Sequence, residues 1–284
     1  MKKRYFAIIV IIVFYFIARM QLSKTIKETN NSPFVELNLD TLNLNILVYS
    51  KANGWYHEEA IPAAKEMLSS LAKENNWVIT FLDDASIYNS NQLKLFDIVL
   101  WNNVTGSTLN EEQRLNFKKY IEQGGSFIGI HGSGDNSGTW DWYYDEVINA
   151  RFSHHPMVPQ YQIGVLNKEC PPGFPKCDTL ISQWNQEEEW YVFYESPRKK
   201  GAKILYTLDE TNLVMSGVLE DGTLADKDFG MPEDHPIVWY NCIKKGKVFY
   251  SALGHKSEYY QNLHYKQLLK EVINWAGNPA IKCE

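Results

Sequence analysis

The chain has 284 residues, of which 44% are hydrophobic and 22% charged, a balance typical of a globular protein with room for one large domain or two small ones. Its formal net charge is −6 and it carries no basic stripe, which argues against nucleic acid as a partner. Aromatic residues make up 14% of the chain, and their faces suit both core packing and contact with sugar rings.

The first 22 residues have the pattern of a targeting segment. Three basic residues precede an unbroken apolar run from Tyr5 to Ala18, which Arg19 closes. This pattern is typical of a signal peptide or a short signal anchor whose basic end stays in the cytoplasm. Because the run lacks a small-residue cleavage site, we expect an inner-membrane anchor at 1–22 and a tether at 23–43. The domain would then lie in the periplasm or outside the cell, or be secreted if the segment is cleaved.

The globular part, expected over 44–277, begins with apolar strands that alternate with amphipathic helices. Strands are predicted at 44–49, 77–82, 98–101 and 127–130, with helices from about Glu58 and from Asn110, where Gln113 completes a capping box. Short apolar strands in alternation with helices are typical of a mostly parallel sheet that has helices on both faces. The predicted fold class is therefore α/β.

The second half of the domain has a less regular pattern. We predict a short helix at 140–150, strands at 161–165 and 204–208, a hairpin of strands 237–243 and 247–252, and a last helix at 263–276 before a tail at 278–284. Glu189 and Trp190 lie in an acidic and aromatic cluster between these elements.

Four cysteines lie beyond the targeting segment. Cys170 and Cys177 flank a proline-rich loop, and in an exported protein that spacing predicts a local disulfide. Cys242 falls in a predicted strand and Cys283 in the tail. The absence of a CxxC pair argues against a zinc ribbon and against a thioredoxin-type site.

The best candidate for a functional site is the turn that follows the strand at 127–130. This strand ends at His131 in the turn HGSGD, whose glycines allow a ligand to approach the backbone. His57 follows the first strand and His255 follows the last one, and open α/β sheets bind ligands at the carboxyl ends of their strands. The predicted cluster contains His57, His131, Asp135 and His255, with Glu189 and His235 approaching from the second half.

Two kinds of chemistry fit this cluster, and the sequence leaves both open. His131 and His255 can act as acid and base with Asp135 as a catalytic partner, because imidazole titrates near neutral pH. Alternatively, His131, His255 and a carboxylate such as Glu189 bind a divalent metal such as zinc. No H-x-x-x-H spacing is present, so the fold would have to assemble a metal site. The histidines can also be hydrogen-bonded separately, each in its own turn.

Nucleophilic catalysis and phosphate binding have less support. The segment GIHGS has the shape of a nucleophile elbow but holds His131 where a serine or cysteine is needed, and Ser133 lies two residues further on. The glycine-rich stretch also lacks the lysine of a P-loop.

Five segments of the chain resemble the trehalose-utilisation family, which is built on ThuA-like domains. They are LVYSKANGWYH at 47–57, the run at 101–135, EEWYVF at 188–193, EDHPIVW at 233–239 and YSALGH at 250–255. The resemblance implies a flavodoxin-like sheet, similar to that of class I glutamine amidotransferases. Those enzymes hold a cysteine where this chain has His131, so amidotransfer is not implied. His255 resembles their histidine position, but Glu258 is displaced from the place of their carboxylate.

The resemblance implies a role in the catabolism of trehalose-type or keto-sugars, and two hypotheses follow. In the first, the protein is an exported, membrane-anchored enzyme that acts on a small sugar. In the second, it is a membrane-tethered sugar-binding module without turnover. The residues expected to contact a sugar are Trp55, His57, Asn102, Thr105, Trp140, Glu189, Trp190 and His235.

Overall fold

A computed structural model describes Val35, Leu37 and residues 39–217 and 230–283. The predicted targeting segment at 1–22 and most of the predicted tether lie outside these residues. Among the described residues, no helix combines the length and the apolar character that a membrane span requires.

Eleven strands are found in the described part of the chain, and nine of them form one sheet. They are β1 Asn45–Tyr49, β2 Val78–Leu82, β3 Ile98–Asn102, β4 Ser126–Ile130, β5 Phe152–His154, β6 Gln162–Lys168, β7 Gln183–Glu188, β8 Val192–Phe193, β9 Lys203–Asp209, β10 Pro236–Ile243 and β11 Gly246–Ser251. The sheet order is β2-β1-β3-β4-β11-β10-β9-β6-β7, while β5 pairs with β8. Strands β2, β1, β3, β4 and β11 are parallel, and the remaining four continue the sheet in antiparallel fashion.

Helices cover both faces of this sheet. The α-helices are α1 Ala60–Asn75, α2 Ser90–Leu93, α3 Glu111–Glu122 and α4 Leu263–Gly277, and a π-helix spans Tyr143–Ile148. Consecutive side chains of a strand point to opposite faces. In β10, the indole of Trp239 donates to the Ile148 carbonyl of the π-helix, whereas the next ring, Tyr240, packs on Trp275 of α4. The predicted α/β fold with helices on both faces is therefore confirmed.

The local signals in the first half correspond closely to the observed elements. Helix α3 begins after Asn110, where the Asn110 side chain and Gln113 form the predicted capping box. Strands β1, β3 and β4 are buried at every position, as expected of strands that helices cover on both sides.

The second half differs from its predicted pattern in one helix and in strands β5, β7 and β8, which were not predicted. The segment predicted as a helix at 140–150 contains the π-helix instead of a regular α-helix core. Strand β7 was not predicted, because two of its three buried positions, Gln186 and Glu188, are polar and hide the alternation. Only the third, Trp184, supplies an apolar signal.

All four cysteines are paired. The predicted disulfide between Cys170 and Cys177 is present. A second disulfide joins Cys242 in β10 to Cys283, so it ties the C-terminal tail to the sheet.

Candidate functional site

The histidine cluster lies where the parallel strands end. Strands β4 and β11 are neighbours with Ile130 opposite Ser251, so His131 and His255 leave the sheet at the same edge. His131 adopts a positive φ of 42°, an unusual conformation for a residue other than glycine. The Tyr250 hydroxyl donates to the His131 carbonyl over 2.8 Å and holds this turn in place.

A glycine next to His131 brings a third histidine into contact. A Cβ atom at Gly132 would lie 2.8 Å from Cε1 of His57, so only glycine permits this approach. The His57 ring centroid is 5.0 Å from the ring centroids of both His131 and His255. One ligand atom from each of the three histidines lies within 4.8 Å of the others.

Glu189 completes the cluster from the antiparallel half. Its Oε2 atom is 3.0 Å from Nδ1 of His255 and 3.5 Å from Nε2 of His131, and these two nitrogens are 3.1 Å apart. The other carboxylate oxygen accepts from Gln160 over 2.7 Å and lies 3.4 Å from Nδ1 of His155. One edge of the carboxylate is thus anchored while the other faces the two histidines.

The hydrogen bonds of His131 fix which of its nitrogens carries the proton. Nδ1 lies 2.7 Å from the Ala252 carbonyl, which can only accept, so Nδ1 is the donor. The lone pair of Nε2 therefore points toward His255 and Glu189. Nδ1 of His57 is buried and has no hydrogen-bond partner among the residues that the structure describes.

Glu188 has a different role from its neighbour Glu189. Its carboxylate accepts from the backbone N–H of Gly254 over 2.7 Å and from those of His255 and Glu189. These bonds join the end of β7 to the loop that carries His255. Burial raises the pKa of Glu188 well above its ordinary value, against the opposing effect of these bonds.

Charge within the cluster is divided between neutral rings and one carboxylate. Burial lowers the pKa of His57 to about 2 and also lowers the pKa of His131. For Glu189, burial alone would raise the pKa, but the close side-chain contacts with His131 and His255 outweigh it and hold the pKa well below the ordinary range. At neutral pH an ionised Glu189 therefore lies beside neutral His57 and His131.

Several predicted site residues make other contacts. The Asp135 carboxylate accepts from the Ser137 N–H and lies within hydrogen-bonding distance of its hydroxyl, not of the histidines. His235 is buried between Glu210, 2.6 Å from its Nδ1, and the Tyr191 carbonyl, 2.8 Å from its Nε2. His235 and Glu210 therefore belong to a separate group of side chains, the His235 cluster.

Asn102 and Thr105 are both buried near the sheet edge. The Asn102 amide donates to the Ser50 hydroxyl and to the Ile61 carbonyl, which fastens β3 to the start of α1. The Thr105 hydroxyl donates to the Trp55 carbonyl over 2.8 Å and positions the loop before His57. Both residues therefore hold backbone segments next to the site in position.

The three tryptophans expected on a sugar face lie at very different depths. Trp190 is 0% exposed and its indole donates to the Gln162 carbonyl, so it is a core residue that no ligand reaches. Trp140 is half-buried and stacks on Tyr143. Trp55 is 71% exposed and precedes His57 by two residues.

Sequence reasoning missed three residues that shape the site. They are His155 and Gln160, which contact the carboxylate of Glu189, and Glu188, which fixes the His255 loop. His155 lies in the segment SHHP at 153–156, which resembles an SHP segment of the trehalose-utilisation family and is the one signal that the sequence offers for this residue. Its contact arises from the antiparallel half, where spacing along the chain predicts no neighbours.

The fold and the site define an α/β protein with a buried cluster of histidines at the carboxyl edge of its parallel strands. The chain belongs to the ThuA family, described as trehalose utilisation, whose model matches residues 45–276. This membership supports a carbohydrate-related role. No curated protein matches the sequence.

Two solved structures show the same fold. A ThuA-like protein from Bacteroides uniformis has a TM-score of 0.67 at 21% identity, covering 87% of this chain and 99% of that chain. A ThuA-like protein from Parabacteroides merdae has a TM-score of 0.58 at 15% identity, covering 83% of this chain and 90% of that chain. At these identities the likeness concerns the fold alone.

Proposed function

We propose that the protein is an exported, membrane-anchored enzyme that acts on a small sugar of the trehalose or keto-sugar type. The observation that carries this proposal is the convergence of His131, His255 and Glu189 within 3.5 Å of one another at the strand ends. Two imidazoles and an ionised carboxylate in such contact form a group that can accept and return a proton.

The roles follow from the hydrogen bonds. His131 presents the lone pair of Nε2 and is the proton acceptor, because its Nδ1 donates to Ala252. Glu189 orients His255 and stabilises it when it carries a proton. The substrate proton is one on a sugar hydroxyl, or on a carbon beside a keto group, which a base of this kind removes.

An aromatic surface beside the cluster suits a sugar ring. Trp55 and Tyr56 are 71% and 53% exposed and directly precede His57. Aromatic faces stack on the apolar faces of sugars. We assign Trp55 to substrate contact and keep Trp140, which is half-buried, as a further contact at the same edge.

A sugar-binding module without turnover is the second candidate. It is favoured by the depth of the cluster, because His131 is 0% and His57 5% exposed. A bound sugar would then contact only the rim of the site.

Turnover of trehalose and of keto-sugars by the full-length protein separates the two candidates. His131→Ala should abolish turnover while sugar binding, measured by calorimetry, survives. His264→Ala is the matched control, because His264 stacks on Trp184 away from the cluster. A wild-type protein that binds the sugar but never converts it would favour the binding module.

Export is proposed on two observations. The N-terminal pattern is that of a signal anchor, and both disulfides suit an oxidising compartment. Protease added to spheroplasts should digest the domain, as it digests periplasmic controls. Protection of the domain, or free thiols at Cys170 and Cys177 in native protein, would contradict export.

A further inference from the structure

We infer that His57 joins His131, His255 and Glu189 as the fourth ligand of a single zinc-type divalent cation. The inference rests on the proposed function only for the position of the site, because a bound ion occupies the Nε2 lone pair of His131 that accepts the substrate proton in the metal-free protein. It names a three-histidine, one-carboxylate centre, in which His57 is a metal ligand and not a sugar contact.

The spacing of the ligand atoms matches a tetrahedral ion. Zinc lies about 2.0–2.1 Å from its nitrogen and oxygen ligands, which places the corners of the tetrahedron about 3.3 Å apart. Nε2 of His131, Nδ1 of His255 and Oε2 of Glu189 are separated by 3.1, 3.0 and 3.5 Å. Three atoms thus already form one face of such a tetrahedron.

His57 supplies the fourth corner and an independent observation. The residue is 5% exposed, and its Nδ1 atom is buried without any hydrogen-bond partner. Buried polar atoms are normally satisfied, so an orphaned nitrogen beside two other imidazoles indicates a missing ligand. One ring nitrogen of His57 lies within 4.8 Å of one ring nitrogen each of His131 and His255, a spacing that allows the three rings to bind one ion.

The surrounding contacts are those that metal ligands usually make. A ligating histidine generally donates its other ring nitrogen to a carbonyl or carboxylate, and His131 does so to Ala252. A ligating carboxylate is usually hydrogen-bonded as well, and Gln160 donates to the outer oxygen of Glu189. Glu188 fixes the backbone of His255.

The donor set also selects the class of ion. Imidazole nitrogens bind zinc, copper, nickel and iron, whereas magnesium and calcium require mainly oxygen ligands. The centre should therefore bind Zn²⁺ tightly and Mg²⁺ or Ca²⁺ weakly.

The test is a competition titration of Zn²⁺ against a chromophoric chelator, with metal-stripped full-length protein. Wild-type protein should bind one ion, and His131→Ala, His255→Ala and His57→Ala should each weaken binding by more than about 100-fold, beyond the loss typical of outer-sphere residues. Glu189→Gln keeps the size of the side chain and should weaken binding by at least about 10-fold. His264→Ala should bind as wild type does.

Each outcome decides a separate point. Wild-type affinity in His57→Ala overturns the assignment of His57, and a wild-type protein without a stoichiometric site overturns the centre. Circular dichroism identifies a variant that fails to fold, and His57→Gln then replaces His57→Ala. Sugar turnover by a protein without a stoichiometric zinc site would refute the metal centre and leave the proposed enzyme intact. Tight zinc binding by a protein that turns over no sugar would refute the enzyme and leave the metal centre intact.

Discussion

Two buried groups of histidines and a glutamate occur in this protein, and they differ in how their nitrogens are satisfied. In the second cluster, His235 bonds to Glu210 and to the Tyr191 carbonyl, and Nε2 of His154 bonds to the Met215 carbonyl. Each nitrogen there has a partner from the protein itself. In the first cluster, nitrogens of His131 and His255 face each other, and His57 retains an unpartnered Nδ1.

The difference teaches that burial and a nearby carboxylate are not sufficient to identify a site. A histidine whose two nitrogens both bond to fixed protein groups is a structural crosslink. A histidine that directs a lone pair at another ring has capacity for a proton, an ion or a substrate. By this criterion the His131 cluster is the functional one and the His235 cluster holds the second half together.

The largest expected effect concerns catalysis. His131→Ala should lower kcat/KM for the sugar by about 10²- to 10⁴-fold, the usual contribution of a general acid or base. His154→Ala, in the second cluster, should leave kcat/KM of the folded protein close to wild type. Equal losses in the two variants would remove the distinction between the clusters.

For the free energy of unfolding, we expect the larger loss from a substitution in the His235 cluster and the smaller loss from one in the His131 cluster. His235→Ala removes two hydrogen bonds of a buried ring and leaves the half-buried Glu210 with only the Met231 N–H, so it should lower the free energy of unfolding by about 2–4 kcal/mol. His57→Ala should cost less, because Nδ1 of His57 makes no hydrogen bond. Urea unfolding of the metal-free proteins measures both values. A larger loss for His57→Ala would show that His57 is mainly structural.

Trp190 and Trp55 allow a second comparison between a structural residue and a residue assigned to the site. Trp190→Ala should lower the free energy of unfolding by about 3–5 kcal/mol, as is usual when a buried tryptophan is truncated. Trp55→Ala should leave stability nearly unchanged and weaken sugar binding by about 2- to 10-fold, the contribution of one aromatic contact. Calorimetry with the sugar is the measurement, and unchanged affinity would exclude Trp55 from the binding surface.

The smallest effect is expected at Asp135. Burial outweighs its hydrogen bonds to Ser137 and raises its pKa from 3.8 to about 6. The folded protein thus retains a proton that the unfolded chain has released, so this contribution to stability is complete below about pH 4 and is lost as the pH rises through 6. Asp135→Asn should remove that slope from the free energy of unfolding between pH 4 and 6.

Turnover of the same variant addresses the predicted catalytic role of Asp135. Because its carboxylate contacts Ser137, Asp135→Asn should retain most of kcat/KM. A loss as large as that of His131→Ala would return Asp135 to the catalytic group.

The sequence was most informative where local patterns determine structure. Apolar runs marked β1, β3 and β4, and a histidine after a parallel strand must lie at the same edge as its counterparts, which brought His57, His131 and His255 together. The degree to which a side chain is buried could not be predicted in this way. Nothing in the residue type separates Trp190, in the core, from Trp55, at the surface.

Contacts between the two halves of the domain could not be predicted from local sequence patterns. His155 and Gln160 lie between β5 and β6 and contact Glu189 just beyond the end of β7, so no strand periodicity marked them. The disulfide between Cys242 and Cys283 spans 41 residues, and its pairing depends on how the tail returns to β10.

Diffraction from crystals of the zinc-loaded protein, recorded at the zinc absorption edge, tests the central claim most directly. We predict one anomalous peak about 2.0–2.1 Å from a nitrogen of each of His57, His131 and His255, with Glu189 as the fourth ligand. No ion should lie between His235 and Glu210. If the His131 cluster shows no peak at saturating zinc, or if the peak lies in the His235 cluster instead, the assigned zinc centre is wrong.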